Sequence, residues 1–149
     1  MILYVFLRHK FMTISHPNHP DFDFITDHIC KFELDNRDLQ MEQFLIAKNS
    51  ANEILAFGRI RVHKGCDELC SLGVIESERL KGIGHLLCNN LIKNSQQPLY
   101  LVCIIPKFFE PLGFKIVNEY PIELKDKVNY CHGELAVPEE YVVMKYFKN

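Results

Sequence analysis

The residues of this sequence best suited to chemistry lie in one short stretch, where an apolar strand-like segment, residues 68–75, leads into a glycine-bearing loop. The loop reads Arg-Leu-Lys-Gly-Ile-Gly-His over residues 79–85, and residues 83–93 then show the periodicity of an amphipathic helix. The first backbone N–H groups of a helix lack internal partners, and the helix dipole adds about half a positive charge at that end. Because Gly82 and Gly84 leave those donors uncovered, the pattern predicts an anion site of the kind that binds phosphate.

Two common nucleotide-binding motifs do not fit this loop. A dinucleotide fingerprint needs a third glycine where this sequence has Leu87, and a Walker loop needs Gly-Lys followed by Ser or Thr. The observed pattern, Arg-x-x-Gly-x-Gly after a strand ending in Leu-Gly-Val, instead resembles motif A of the GNAT superfamily of acetyl-CoA-dependent N-acetyltransferases. Residues 108–114, Phe-Phe-Glu-Pro-Leu-Gly-Phe, are similar to the second signature of that family, aromatic-Glu-x-Leu-Gly-Phe.

The resemblance implies a fold and a co-substrate. The implied fold is α/β (α+β), a mixed and mostly antiparallel central sheet flanked by helices, in which the strand at 68–75 carries a bulge and splays from a parallel neighbour at 99–105. Acetyl-CoA would lie in the resulting V, with its thioester and pantetheine on the first strand and its pyrophosphate on the loop. The residues implied to bind it are Leu72, Gly73, Val74, Arg79, Leu80, Lys81, Gly82, Ile83, Gly84, His85 and Phe109.

The resemblance also indicates how catalysis would proceed. An alkylamine is mostly protonated at pH 7, so a base must remove a proton before the amine can attack. Glu68 lies where histone-type members of the family carry a glutamate base, although it also fits a solvated carboxylate closing a turn. The N–H of Val74 would polarise the thioester carbonyl. Phe109 replaces the tyrosine acid of many members, so the thiolate would leave unaided, or Tyr100, Tyr130 or a water would protonate it.

The acceptor is indicated less directly. Arg59 and Arg61 share one face of a predicted strand and would make a forked donor pair for an anionic substrate, unless that face is simply solvated. A looser resemblance to the amino-acid N-acetyltransferase branch, which includes N-acetylglutamate synthases, rests on Phe108 and Phe109 before Leu-Gly-Phe, on residues 121–127 and 142–144, and on Cys131. The sequence therefore predicts acetylation of a small primary amine, an amino acid among the candidates. The alternatives are a protein or peptide acceptor, or a non-catalytic acyl-CoA-binding module.

Composition limits the remaining possibilities. The 149 residues are 48% hydrophobic and 24% charged with a net charge of −2, which predicts one globular domain without a nucleic-acid or membrane partner. With the resemblance, this implies a single N-acetyltransferase domain over residues 1–149. The apolar run at residues 2–7 is too short to span a membrane. Six cysteines without CxxC spacing favour reduced thiols, a cytoplasmic location and no metal site, and the pair Cys131-His132 does not change that interpretation.

Apolar periodicity and breakers predict the elements that position these groups. Strands are expected at residues 11–15, 43–48, 53–63, 68–75, 99–105, 114–120 and 141–147. Helices are expected at residues 21–32, capped by Asp21, at 83–93 and at 123–131, with a helical turn or two at 107–112. The last strand is predicted to be an exposed edge, where two copies could pair as a homodimer.

Overall fold

The computed structural model describes residues 12–134 and 140–148, so the apolar run at 2–7 and the first residue of the predicted strand 11–15 lie outside it. The elements in chain order are β1 Thr13–Ser15, α1 His19–Lys31, β2 Phe44–Lys48, β3 Ile54–Val62, β4 Asp67–Val74, α2 Ile83–Asn94, β5 Leu99–Cys103, α3 Pro106–Phe109, β6 Phe114–Ile116, α4 Ile122–Glu134 and β7 Val142–Tyr146. Short 3-10 turns occupy Met41–Gln43, Glu76–Glu78 and Glu110–Leu112. Among the described residues, no helix is long and apolar enough to cross a membrane.

The seven strands form one sheet in the order β1-β2-β3-β4-β5-β7-β6. Strand β4 pairs with β5 in parallel, aligning Asp67 with Leu99 and Glu68 with Tyr100. The pairs β1–β2, β2–β3, β5–β7 and β6–β7 are antiparallel. The predicted fold class, a mixed and mostly antiparallel sheet with a parallel strand pair and flanking helices, is confirmed.

The described residues cluster into two compact units, and the prediction of a single domain remains a prediction. The first unit contains residues 12–59 and 71–93. Its core forms where α1 places Ile25 and Ile29 against Phe44 and Ile46 of β2 and Phe57 of β3, all fully buried. The alternation of apolar residues at spacings of three and four therefore gives α1 the buried face that the sequence predicts.

The second unit contains residues 60–70, 94–134 and 140–148. Its core consists of Cys66, Tyr100 of β5, Leu124 of α4 and Val143 of β7. Helix α4 thus covers one face of the β5–β7 pair through its buried Leu124. Lys127, one turn along the same helix, is also buried.

Helix α1 starts earlier than predicted. The Asn18 side chain accepts a hydrogen bond from the Asp21 backbone N–H at 2.9 Å, and the Asp21 carboxylate accepts one from the Asn18 N–H at 3.0 Å. This reciprocal capping box satisfies donors that the first turn would otherwise leave unpaired. The prediction that Asp21 caps the helix is therefore wrong, since the N-cap is Asn18 and the helix begins at His19. Pro20 is tolerated in this first turn because its missing N–H costs nothing there.

The predicted edge position of the last strand is also wrong. Strand β7 pairs with β5 through Leu101–Met144 and with β6 through Phe114–Tyr146, so both of its sides are occupied. Strand β6 takes the edge instead, and it ends at Ile116 rather than at residue 120. Gly113, just before β6, adopts a φ of 108°, and an added Cβ would lie 2.9 Å from the Tyr146 ring, which explains the glycine at this helix end.

Candidate functional site

One residue within β4 adopts the left-handed backbone conformation, immediately before the segment predicted to bind the thioester. Ser71 has a φ of 54° and is buried. Its Oγ accepts a hydrogen bond from Nε of Arg59 at 2.9 Å and donates one to the carbonyl of Asp35 at 2.7 Å. A left-handed residue inside a strand is typical of a β-bulge, which redirects the residues that follow it. Here those residues are Leu72, Gly73 and Val74.

Gly73 allows β4 to pass close to the ring of Phe57. A Cβ added at Gly73 would lie 2.4 Å from the ring carbon Cζ of Phe57, closer than any real contact. Val74 is held by a different contact, because its carbonyl accepts a hydrogen bond from Nε of Arg79 at 2.9 Å. Leu72 and Val74 are both half-buried. The segment is therefore fixed by packing on one side and by the loop arginine on the other.

The loop after β4 has the backbone expected of an anion site at a helix start. Gly82 has a φ of 81°, and its carbonyl accepts the first helical hydrogen bond, from Leu86 N–H at 3.1 Å. Helix geometry supplies no internal acceptor for the N–H groups of a first turn. Leu80 is exposed with a φ of 64°, which is unusual for a residue with a side chain, so the loop is held in a strained conformation.

Two cationic side chains accompany this loop. The guanidinium of Arg79 lies over the ring of Phe32, with Cζ of Arg79 5.1 Å from the ring centroid. Arg79 is otherwise exposed. Lys81 pairs with Glu78 at 3.5 Å. Ile83 and Gly84 are buried and anchor the start of α2, while His85 is half-buried. The predicted cofactor-binding residues from Leu72 to His85 thus all lie in the first unit, on β4, the loop and α2.

Glu68 lies in the second unit and is not the solvated turn residue that the sequence left open. Its side chain is completely buried. One carboxylate oxygen lies 2.9 Å from Nε2 of His63, and the other lies 3.1 Å from Nζ of Lys127 on α4. Neither partner was predicted from the sequence. The spacing from His63 to Glu68 across a short turn between two strands is a signal for the first, whereas Lys127 depends on how α4 packs.

Asp67, next to Glu68, anchors the start of β4. Its carboxylate accepts hydrogen bonds from the Ser95 hydroxyl, from the backbone N–H groups of Gln96 and Gln97, and from Nε2 of Gln97, at 2.9 to 3.2 Å. Burial by itself would raise the pKa of Asp67, but these donors, the Gln97 and Ser95 side chains first, outweigh it and hold the pKa below its ordinary value. The role of this aspartate is therefore to fix the strand that carries Glu68.

The two arginines predicted to hold the acceptor have different surroundings. Arg59, in the first unit, is fully buried. Its guanidinium donates to Ser71, to Gln43 and to backbone carbonyls of residues 35–38, which engages all of its N–H groups. Arg61, in the second unit, is half-buried. Arg59 therefore organises the segment between α1 and β2 in this conformation.

Phe109 and most of the cysteines are buried. Phe109 packs against Phe108 and Phe114, with ring centroids 4.8 and 5.9 Å away. Burial raises the pKa of Cys103 to about 11 and that of Cys88 to about 12, which disfavours the thiolate that a nucleophile would need. Among the described cysteines, only Cys30 is exposed. These thiols pack as small hydrophobic side chains.

Solved structures of the same fold were identified by comparison of the whole chain. Rv2747 from Mycobacterium tuberculosis, solved in complex with CoA and NLQ, is 13% identical with a TM-score of 0.75, over 92% of this chain and 99% of that one. N-acetylglutamate synthase from Neisseria gonorrhoeae, complexed with coenzyme A and L-arginine, is 16% identical with a TM-score of 0.71. That likeness covers 93% of this chain but only 34% of the synthase. Escherichia coli ElaA is 15% identical with a TM-score of 0.65, over 91% of this chain and 98% of that one.

At these identities the structural likeness shows the fold alone. No curated protein sequence matches the chain. The family model described as "Acetyltransferase (GNAT) family" matches residues 7–114, a span that contains β1 to α3 with the glycine loop and Glu68. Since this match extends over more than half of the sequence, the chain belongs to the GNAT family of acetyltransferases.

Proposed function

We propose that this enzyme transfers the acetyl group of acetyl-CoA to the primary amine of a small molecule, with amino acids as the first acceptors to consider. The observation that carries the proposal is the backbone of residues 71–85 in a chain of this family. A left-handed Ser71 precedes a closely packed Gly73, and a glycine loop then opens into the N-terminus of α2. A strand followed by such a loop suits a ligand with an extended arm and a pyrophosphate.

The cofactor contacts follow from this arrangement. The backbone N–H groups at the start of α2, from Gly82 to His85, bind the pyrophosphate, with Arg79 and Lys81 adding positive charge. Leu80 of the same loop is exposed to solvent. Ile83 is buried and anchors the loop in the core. The backbone from Leu72 to Val74 pairs with the pantetheine arm, and Phe109 supplies an apolar contact in the second unit. The match of CoA to this loop is also consistent with the CoA bound in the structure of Rv2747.

The chemistry requires a base and a polarised carbonyl. The N–H of Val74 polarises the thioester carbonyl and stabilises the oxyanion that forms when the amine attacks. The carboxylate of Glu68 on β4, buried beside His63 and Lys127, belongs to the machinery that removes the amine proton. Phe109 has no hydroxyl, so the departing thiolate takes its proton from the attacking amine or from water. No metal is needed for any of these steps.

The acceptor is proposed to carry an anionic group near its amine. The synthase from Neisseria gonorrhoeae is complexed with L-arginine in one structure and with N-acetyl-glutamate in another. Arg61, rather than the pair Arg59 and Arg61, is the proposed contact for such a group, because the guanidinium of Arg59 is saturated within the protein. An acceptor on a protein or peptide is the second candidate and would be recognised without such a charge requirement.

The first test is thermal unfolding with acetyl-CoA, followed by a thiol-release assay over a panel of amines that begins with amino acids and includes peptides. A ligand that binds only the folded state stabilises it by about 2.7 kcal/mol at 100 times its Kd. Stabilisation together with transfer supports the proposal. Stabilisation without transfer to any amine indicates a non-catalytic acyl-CoA-binding module, and no stabilisation of the folded protein contradicts the assignment of the loop.

A pair of variants at one position separates charge from backbone strain. Gly82→Ala and Gly82→Glu both place a Cβ at a φ of 81°, but only glutamate adds a negative charge where the pyrophosphate is proposed to bind. We expect Gly82→Glu to weaken acetyl-CoA binding at least tenfold more than Gly82→Ala. Equal losses in the two variants would show that the loop does not bind an anion.

A further inference from the structure

We infer that His63, rather than Glu68, accepts the proton from the acceptor amine, and that Glu68 acts by orienting and stabilising the imidazole. This inference rests on the proposed function and names the base of that same reaction. It comes from three side chains of the second unit, His63, Glu68 and Lys127, which form a continuous line. Nε2 of His63 lies 2.9 Å from Oε1 of Glu68, and Oε2 of Glu68 lies 3.1 Å from Nζ of Lys127.

The hydrogen bond to Glu68 determines the tautomer of His63. A carboxylate next to the ammonium of Lys127 is ionised and can only accept hydrogen bonds. Nε2 of His63 must therefore carry the hydrogen, which leaves Nδ1 with the lone pair in the neutral ring. Among the described residues, no side chain or backbone group donates to Nδ1 of His63. The nitrogen able to take up a proton is thus directed away from Glu68.

Burial decides which of the three groups can exchange protons with substrate or solvent. The side chains of Glu68 and Lys127 are 0% and 6% exposed, whereas that of His63 is 18% exposed. One oxygen of Glu68 faces Nε2 of His63, and the other forms an ion pair with Lys127. His63 is therefore the member of the line that an amine, or a water bound to it, can reach.

The backbone of His63 is held in place by two hydrogen bonds, which restricts where its imidazole can lie. Its N–H donates to the carbonyl of Cys66 at 2.8 Å, and its carbonyl accepts from Nε2 of Gln97 at 3.0 Å. Gln97 in turn donates to Asp67 at 3.0 Å. The turn that separates His63 from Glu68 is therefore anchored independently of their side-chain hydrogen bond.

The charged groups beside His63 are a carboxylate and then an ammonium, those of Glu68 and Lys127. Glu123 on α4 and Asp67 on β4 act together with Glu68 on the Cys66 thiol in the neighbouring turn. Glu68 and Lys127 cancel each other while the ring is neutral. Once the ring is protonated, the carboxylate of Glu68 at 2.9 Å stabilises the imidazolium. The same neighbouring carboxylates, after burial itself, raise the pKa of the Cys66 thiol, so that thiol adds no charge.

The ammonium form of the acceptor gives one proton to Nδ1 of His63, directly or through one water, and the free amine attacks the carbonyl carbon of the thioester. A carbon–nitrogen bond forms and the carbon–sulfur bond breaks. The second proton of the attacking nitrogen passes to the departing thiolate, which leaves as the thiol of CoA. His63 then releases its proton to solvent through its exposed edge, so the turnover yields one amide, one thiol and one proton.

The test compares His63→Gln, Glu68→Gln and His19→Gln, an exposed histidine at the start of α1 that serves as the control. The pH profile of kcat/KM for the amine is measured together with Kd for acetyl-CoA and the Tm of each variant. His63→Gln should lower kcat/KM by about 10²–10⁴-fold and remove the acidic limb of the profile, with Kd for acetyl-CoA changed less than threefold. Glu68→Gln should retain the acidic limb and lower kcat/KM less than His63→Gln does, because the imidazolium loses its carboxylate but the base itself remains.

Two results would overturn the assignment. If His63→Gln stays within threefold of wild type while Glu68→Gln loses the acidic limb, Glu68 is the base. Nitrogen NMR of the histidine rings provides a readout that needs no turnover: wild type must show the proton of neutral His63 on Nε2, and a proton on Nδ1 contradicts the inference. Failure of the proposed function looks different, since wild type would then show this tautomer but neither bind acetyl-CoA nor transfer its acetyl group.

Discussion

At Gly73 the absence of a side chain is what lets β4 lie against Phe57. The ring carbons of Phe57 would be 2.4 to 3.0 Å from an added Cβ, and Phe57 is itself fully buried in the core of the first unit. Interiors are packed too densely for a ring in this position to move away freely. A glycine inside a strand is ordinarily unfavourable, so its presence indicates a position where close approach outweighs strand propensity.

We expect Gly73→Ala to destabilise the protein by about 1–3 kcal/mol, because the new methyl group overpacks the Phe57 ring. Chemical denaturation measures the change, and Gly73→Ala combined with Phe57→Leu should regain part of the loss. The matched control is Gly133→Ala on α4, where nothing lies within 4 Å of an added Cβ and stability should not fall. If both glycine variants are as stable as wild type, the close contact is not what fixes this segment.

The sequence identified the reactive stretch at the scale of residues but not the partners of its charged groups. The glycine loop and Glu68 lie in one short stretch of the sequence, so a local pattern could identify them. The partners of Glu68 and Arg59 come from elsewhere: Lys127 is far along the chain, and Arg59 is enclosed by carbonyls of the segment before β2. Such contacts depend on which faces of the sheet are covered, and periodicity within one strand cannot show that.

At the scale of elements, the periodic segments were predicted correctly and their ends were not. Helix α2 and strands β2 to β5 lie within a few residues of the predicted ranges, because their buried faces are long enough to give a clear period. The ends depend on individual hydrogen bonds instead. The cap of α1 is Asn18, and β6 stops after three residues because an edge strand has a partner on one side only.

Replacing the cap of α1 should cost measurable stability. We expect Asn18→Ala to lower the free energy of unfolding by about 0.5–2 kcal/mol, since the Asp21 N–H loses its acceptor. Asn18→Asp, which keeps the acceptor, should cost much less. Asp27→Ala is the comparison in the same helix, because Asp27 is exposed and distant from the cap. An unchanged stability of Asn18→Ala in urea denaturation would show that the capping box contributes nothing to folding.

At the scale of the whole molecule, the order of the strands places Asp67 where distant parts of the second unit meet. Its carboxylate binds residues 95–97, which connect α2 to β5, and its backbone N–H donates to the carbonyl of Pro98 at 2.9 Å. Gln97 carries the connection on to the turn after β3 through the carbonyls of His63 and Cys66. The parallel pairing of β4 with β5 starts at this same residue. Protonation of the Asp67 carboxyl group therefore affects the contacts that hold β4 beside its parallel neighbour β5.

This arrangement predicts a specific contribution to acid unfolding. The pKa of Asp67 is lower in the folded protein than in the unfolded chain, so the unfolded chain binds its proton first as pH falls. The stabilisation is complete above the unfolded pKa of about 4 and is lost as pH falls from there through the folded pKa.

We expect Asp67→Asn to be less stable than wild type at pH 7 by about 1–3 kcal/mol, since an amide replaces a charged hydrogen-bond acceptor. The difference should shrink as pH is lowered below 4, where wild-type Asp67 becomes protonated. Urea unfolding between pH 2 and 7 measures both trends, with Asp27→Asn as the exposed control that leaves the pH dependence unchanged. A constant difference between wild type and Asp67→Asn across this range would show that the charge of Asp67 does not hold the start of β4 in place.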